Sequence, residues 1–363
     1  MHGKSALIKI HALLIRKINV LSYFENYTVE TGENAQFIFG GMLMIISASR
    51  RTDIPSYYSQ WFFNRIKEGY VLVRNPMNAH QISKISLLPE VVDGIVFWTK
   101  NPTPMLNKLD KLEKYNYYFQ FTLTAYGPDV EKNIPSKNKI IIPAFQRLSK
   151  EIGKEKVVWR YDPIFFNKTY TIDYHCKYFE IVASKLAQYT EKCTISFVDL
   201  YRNTERNMKP LNIQVITLEQ QTELVERLVE IAKRYDIYID ACAEDYDFRR
   251  LGVLPAHCID KERFERIGKY KLDIVKDKNQ RDECGCIESI DIGAYNTCKN
   301  CCLYCYANYS NSSVNNNFAK HNYDSPLLFG EKQEKDVIKE RNIKSFVNGQ
   351  MTLFDYGEEG FEI

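Results

Sequence analysis

The sequence predicts an α/β fold, a TIM-like β/α barrel, from three observations. Short β-prone runs alternate with helix-length amphipathic segments from Ile45 onward, eight such runs can be counted, and polar or charged residues crowd their carboxyl ends. Alternation makes a parallel sheet, eight strands can close a barrel, and a barrel does its chemistry at the carboxyl ends of its strands. A chain of 363 residues, 45% hydrophobic and 26% charged, is long enough to bury such a core. Its net charge of +3 is too small to argue for nucleic acid by itself.

Residues 1–43 fit poorly with the rest of the chain. The apolar run Ala6–Val20 is interrupted by Lys9, His11, Arg16 and Lys17, so it is too short and too charged to span a membrane. No small-residue cleavage site comes after it, so no secretory signal is read there and a cytoplasmic protein without membrane partners is expected. Translation is expected to start at Met42 or Met44, with the leader a gene-calling artefact.

The expected strands are Ile45–Ser49, Tyr70–Val73, Gly94–Trp98, Tyr118–Thr124, Val157–Tyr161, Thr194–Val198, Ile237–Ala241 and Ser289–Tyr295. Between them run helical patterns at Ser56–Lys67, Pro104–Tyr115, Ile140–Ile152, Tyr174–Gln188 and Leu218–Tyr235, and a short loop and helix come after Val73. The strand ends present Arg50, Arg51 and Asp53, then Arg74, Lys100, Gln120, Arg160, Asp162, Asp199, and finally Cys242 and Glu244. Guanidinium and ammonium groups at a barrel mouth suit a carboxylate of a substrate or cofactor. Salt bridges that tie loops together are the competing reading of Asp53, Asp162 and the arginines.

Six of the ten cysteines fall between Cys284 and Cys305. Cys298, Cys302 and Cys305 are separated by three and two residues, with Tyr304 just before the last and Cys301 the odd one out. Thiolates this close are ligands of a soft metal, and three of them on a 4Fe-4S cluster leave one iron open. A structural zinc knot drawing in Cys284 or Cys286, or inert buried thiols, would use the same residues.

The spacing resembles the signature of radical S-adenosylmethionine (SAM) enzymes, and distantly spore photoproduct lyase. The resemblance implies that Cys298, Cys302 and Cys305 hold a 4Fe-4S cluster, that SAM chelates its open iron, and that Tyr304 packs near the adenine. It also implies a 5'-deoxyadenosyl radical as the reagent and an electron donor such as flavodoxin or ferredoxin. In that superfamily the cysteine loop follows the first barrel strand, whereas here it follows the last. The sequence therefore resembles a circularly permuted radical SAM barrel; an ordinary barrel with an appended ferredoxin-like module is the alternative.

The runs SASRRTDIP, LVRNP, FWTKNP, WRYDPI, SFVDLY, KDKNQR with CGC, and YNTC to YCYANYS resemble the bacterial family catalogued as domain of unknown function 1848, from Met44 to about Phe354. That family usually reads Cys-Pro-His-Gly-Cys where this chain has Lys299, Asn300 and Cys301 between the first two ligands. The spacing survives, so ligation is expected to survive. The substrate stays open between a nucleic-acid lesion and a small metabolite or peptide, and a non-catalytic iron-sulfur or zinc scaffold is the alternative function.

Cys242, Cys258, Cys284 and Cys286 could together complete a second iron-sulfur cluster or a zinc site. Cys176 and Cys193 are read as packing. The barrel and its cysteine loop are expected to span 44–310, and 311–363 to form a peripheral Asn- and Ser-rich loop, a charged helix over 331–344 and a tail. Gln350 to Phe354, QMTLF, resembles the peptide by which bacterial DNA-repair proteins bind the DNA sliding clamp. A tail docking Leu353 and Phe354 on its own barrel would explain the same residues.

Overall fold

A computed structural model describes residues 44–341; the leader 1–43 and the Gln350–Phe354 peptide lie outside the described residues. In chain order the elements that matter are β1 (Met44–Ala48), α1 (Ile54–Tyr57), α2 (Ser59–Glu68), β2 (Tyr70–Asn75), β3 (Asn78–Ser86), β4 (Val92–Thr99) and α3 (Thr103–Leu106). They continue with β5 (Tyr117–Thr122), α4 (Ile142–Ile152), β6 (Val157–Ile164), α5 (Ile172–Leu186), β7 (Lys192–Phe197), α6 (Arg202–Met208) and α7 (Leu218–Lys233). The last are β8 (Tyr238–Ala241), β9 (Leu254–Pro255), α8 (Lys261–Gly268), β10 (Ile290–Asp291), α9 (Asn311–Phe318) and β11 (Val337–Glu340).

Eight strands form one parallel sheet in the order β10-β1-β4-β5-β6-β7-β8-β9. β10, which leads into the cysteine loop, lies beside β1 in parallel register, with Ile46 opposite Ile290 and Ser47 opposite Asp291. β10 and β9 are the sheet's edges, and no pairing between them is present among the described residues.

Along each central strand, successive side chains alternate between two faces. One face carries Ile46, Ile95, Phe97, Phe119, Phe121, Trp159 and Ile195, all buried against helix residues such as Trp61, Phe62, Phe145 and Phe179. The helices are built for that contact. Thr217 and Gln220 close a capping box at the start of α7, whose Leu224, Val225, Leu228, Ile231 and Ala232 recur at helical spacing and are buried.

The other face changes character along its length. Ile45, Val96, Tyr118 and Val158 pack with Ile259, Phe264, Leu272, Ile274 and Ile287, so the chain from 258 to 287 covers this part of the face. Gly94 permits it, since a Cβ there would stand 2.1 Å from the Phe264 ring. Two residues further along the same strands come Ser47, Trp98, Gln120 and Arg160, where the face turns polar.

Three expectations are corrected. Tyr70–Val73 is not a strand of the main sheet: β2 pairs antiparallel with β3, which pairs with β11, in a separate three-stranded sheet, so Arg74 leaves the mouth and binds Asp336 at 2.8 Å instead. A tight turn at Pro76–Met77 returns the chain at once, leaving no crossover for a parallel partner. The two-residue β9 takes the eighth place. The charged stretch expected as a helix holds β11, whose Val337 and Ile338 pair with Gln81 and Ile82. The Asn- and Ser-rich segment expected as loop forms α9, because Ser310 caps it by accepting from Ser313 N–H at 3.1 Å and Val314 is buried.

Among the described residues no helix is long and apolar enough to cross a membrane.

Candidate metal and cofactor site

Two groups of cysteines meet the sheet at its polar part. The first is the loop after β10. Gly293 lets the chain leave β10 close to β1, since a Cβ there would stand 2.1 Å from Ser49 Oγ. Asp291 secures the same junction, accepting from Ser49 Oγ at 2.6 Å and from the amides of Arg50 and Gly293 at 2.8 and 2.9 Å.

The loop is then tied to β4 through Asp53. Its Oδ1 accepts from Thr99 Oγ1 at 2.8 Å and from Ser56 N–H at 3.0 Å, which caps α1. Its Oδ2 accepts from Lys100 N–H at 2.8 Å and from Asn300 Nδ2 at 2.9 Å, and Asn300 lies between Cys298 and Cys302. Tyr57 OH donates to the other end of the Asn300 amide at 2.8 Å. With both oxygens engaged, Asp53 positions the loop; the loop-tying reading holds for it. Burial pushes its carboxyl above the ordinary value against these bonds.

Behind Cys302 stands a network that sequence reasoning missed. Glu131 accepts from Lys100 Nζ at 2.8 Å, Thr124 Oγ1 at 2.7 Å and Tyr304 OH, and pairs with Lys137 Nζ at 2.6 Å. Burial pushes the Glu131 carboxyl up, but Lys100 and Lys137 outweigh it and hold it at about 2. Burial pulls Lys100 down, and Glu131 and Cys302 together bring it above its ordinary value. Lys100 Nζ also lies 5.4 Å from the Tyr304 ring centre. Glu131 sits in the long connection after β5, with no period or motif to single it out; only its place beside two lysines reveals it.

The loop sulfurs have polar partners. The Asn300 amide beside Cys298 and the Ala307 and Asn308 amides beside Cys305 favour the thiolates, while the Tyr304 hydroxyl beside Cys302 is donated to Glu131. Burial pushes all three thiols up, Cys302 to about 12. Thiols are the donor type that iron-sulfur clusters take, and amides beside the sulfurs are how proteins tune such ligands. Cys301 is set apart: it adopts the left-handed φ of 51°.

The second group lies deeper. Cys242 follows β8 and Cys258 follows β9; their sulfurs are 3.1 Å apart. Cys258 Sγ accepts from Arg160 Nη1 at 2.8 Å, and Cys258, Cys284 and Cys286 lie in one packed cluster with Cys242 against it. Donation from Cys242, Cys286 and Arg160 holds Cys258 well below its ordinary value. Gln120 supports this group through Nε2, which donates to the Cys258 carbonyl at 2.8 Å. Asp162 accepts from Arg160 Nε at 3.0 Å and from Ser196 Oγ. Glu244 accepts the Phe197 amide at 2.8 Å, and burial raises its carboxyl to about 8.

Trp98 lies between two guanidiniums, Arg50 at 5.6 Å and Arg160 at 5.2 Å from its ring. Arg51 lies over Tyr295 at 5.1 Å, and Asp199 pairs with Arg281 at 2.6 Å and faces Glu244. Of the expected site residues, the fold thus gathers Asp53, Lys100 and Tyr304 at the loop and Arg50, Gln120, Arg160, Asp162 and Glu244 at the second group. Among the described residues, no three His, Cys, Asp or Glu side chains are arranged around a single point as they would be about a metal ion. Cys176 and Cys193 are buried in the helix-covered core, as packing residues would be.

No curated protein matches the chain. A solved structure of a sugar phosphate isomerase/epimerase from Parabacteroides distasonis is similar at 9% identity and a TM-score of 0.27, too low to carry an argument. That similarity takes in 59% of this chain and 55% of that one, so the chain spans about half of the other's length. The family described as Domain of unknown function (DUF1848) matches residues 45–307, most of the chain, and to that family the chain belongs.

Proposed function

We propose that the chain is a radical SAM-type enzyme in which Cys298, Cys302 and Cys305 hold a 4Fe-4S cluster, built on a circularly permuted β/α sheet. The observation that carries the reading is the loop itself: Cys302, buried, and Cys298 and Cys305, half-buried, follow a strand paired in parallel with β1, at the spacing of three cluster ligands. Cys298, Cys302 and Cys305 would hold the cluster, which would supply one electron to SAM, breaking its C5'–S bond to give methionine and a 5'-deoxyadenosyl radical for hydrogen abstraction.

The protein's residues hold and orient. Asp53 and Asn300 fix the loop against β4, and the Glu131 pair with Lys100 and Lys137 keeps two cations beside Cys302. Lys100 is the group in place for a SAM carboxylate, with Tyr304 the aromatic surface beside it.

A reduced flavodoxin or ferredoxin would supply the electron. A nucleic-acid lesion is the substrate class that the outer rim favours. Tyr295 stacks with Tyr309 at 6.4 Å, Arg51 lies on Tyr295, and the exposed Tyr201 and Tyr306 are 6.2 Å apart, surfaces on which an unpaired base could stack. The Gln350–Phe354 peptide would bring such an enzyme to the DNA sliding clamp. The test is anaerobic reconstitution with iron and sulfide, then dithionite and SAM. A brown protein that releases 5'-deoxyadenosine, and a Cys302→Ala variant that does not, are expected; a colourless zinc protein would overturn the proposal.

A further inference from the structure

Cys242, Cys258, Cys284 and Cys286 gather at the polar part of the sheet, drawn from separate points of the chain. Cys242 Sγ lies 3.1 Å from Cys258 Sγ, and Cys258, Cys284 and Cys286 belong to one packed cluster with Cys242 against it. Cys258, Cys284 and Cys286 are buried and Cys242 is half-buried. Packing alone gives no reason for four cysteines gathered beside two guanidiniums.

Two buried donors beside these cysteines lack partners. Arg50 Nη2 is a buried guanidinium nitrogen with no acceptor, although the charge it carries faces Cys286 and Cys258. Trp98 Nε1, on a ring close to both Arg50 and Arg160, is also buried without an acceptor. A buried donor left unsatisfied is costly, so two together point to something that accepts them.

We infer that Cys242, Cys258, Cys284 and Cys286 hold a second iron-sulfur cluster, with a protein thiolate on every iron, and that Arg50 and Arg160 balance its charge. A 4Fe-4S centre with four thiolates carries a net charge of about −2 when oxidised, which two guanidiniums offset. Its bridging sulfides are hydrogen-bond acceptors, as Arg50 Nη2 and Trp98 Nε1 require. A zinc ion on the same thiolates brings no such acceptors. Having no open iron, this centre binds no SAM; it passes or stores electrons beside the loop. Tyr306, the neighbour of Cys305, links the two places, its hydroxyl donating to the Arg50 carbonyl at 2.9 Å.

The inference stands without the SAM chemistry proposed for the loop. In the full chain with Cys298, Cys302 and Cys305 all changed to Ala, anaerobic reconstitution should leave about four irons and four sulfides per chain, and dithionite should produce a paramagnetic signal. Cys258→Ala added to that variant should remove both. Arg50→Gln in the same background should keep the iron and lower the midpoint potential, since a positive charge that favours the reduced centre has gone. Zinc in place of iron and sulfide, or no metal at all in the loop variant, would overturn the inference. So would an unchanged potential in Arg50→Gln. Failure of SAM cleavage in the unmodified chain would bear on the loop alone.

Discussion

Asp53→Ala removes a side chain that joins β4, α1 and the cysteine loop. It deletes a helix cap worth about 1 kcal/mol. It also leaves the Lys100 amide and the Asn300 amide, both buried, without their acceptor, at about 1–3 kcal/mol each. The Thr99 hydroxyl can turn toward Ser56 Oγ, 3.4 Å away, so its loss adds little. The expected cost is about 3–7 kcal/mol. Urea unfolding of the metal-free chain, monitored by tryptophan fluorescence, reads it as a fall in midpoint. Because Asn300 lies between two proposed ligands, the same variant should also take up markedly less iron in the loop after reconstitution. A loss under about 1 kcal/mol with full iron uptake would refute the role given to Asp53.

Other predictions rest on single contacts. Glu131→Gln leaves Lys100 and Lys137 buried without an anion and should cost about 3–5 kcal/mol in urea unfolding, partly restored by adding Lys100→Met. Cys301→Gly relieves a left-handed φ of 51° and should raise stability by up to about 1 kcal/mol with iron content unchanged, as thermal denaturation and iron assay would read. Asp93 is buried in β4 with both carboxyl oxygens unpartnered, and burial raises it to about 7. The folded state therefore binds its proton more tightly than the unfolded chain. This contribution is present below the unfolded value near pH 4 and is lost as pH rises to about 7, amounting to as much as about 4 kcal/mol. Asp93→Asn should flatten that part of a stability-against-pH curve and be the more stable protein at pH 8.

Much of the fold was legible because its central strands begin apolar on both faces: Ile45, Ile46, Ile95–Phe97, Tyr117–Phe119 and Val157–Trp159 announce a covered parallel sheet. The position of β10 beside β1 was legible only through the cysteine loop, since a two-residue strand has no pattern of its own. β2 misled because YVLV reads as a core strand, while its partner NAHQISKIS is polar at alternate positions and half exposed. The segment 258–287 that covers the sheet's second face was illegible: its Ile259, Phe264, Leu272 and Ile287 are spaced irregularly and acquire meaning only against Gly94 and Tyr118.

Of the site, the residue types at strand ends were readable from barrel logic, and Arg50, Asp53, Lys100, Gln120, Arg160 and Asp162 do gather at one part of the sheet. Their partition into two groups was not readable, because it depends on which side chain meets which sulfur. Glu131 and Lys137 escaped because they come from a connection rather than a strand end.

The central claim is an iron in the loop cluster that no protein residue ligates. The most direct measurement is electron paramagnetic resonance of the reduced chain carrying Cys242, Cys258, Cys284 and Cys286 changed to Ala, with and without SAM, so that the loop is the site observed. A 4Fe-4S signal that shifts when SAM is added, and that vanishes with Cys302→Ala, is the predicted result. A signal indifferent to SAM, or a loop that takes up no iron, would contradict it.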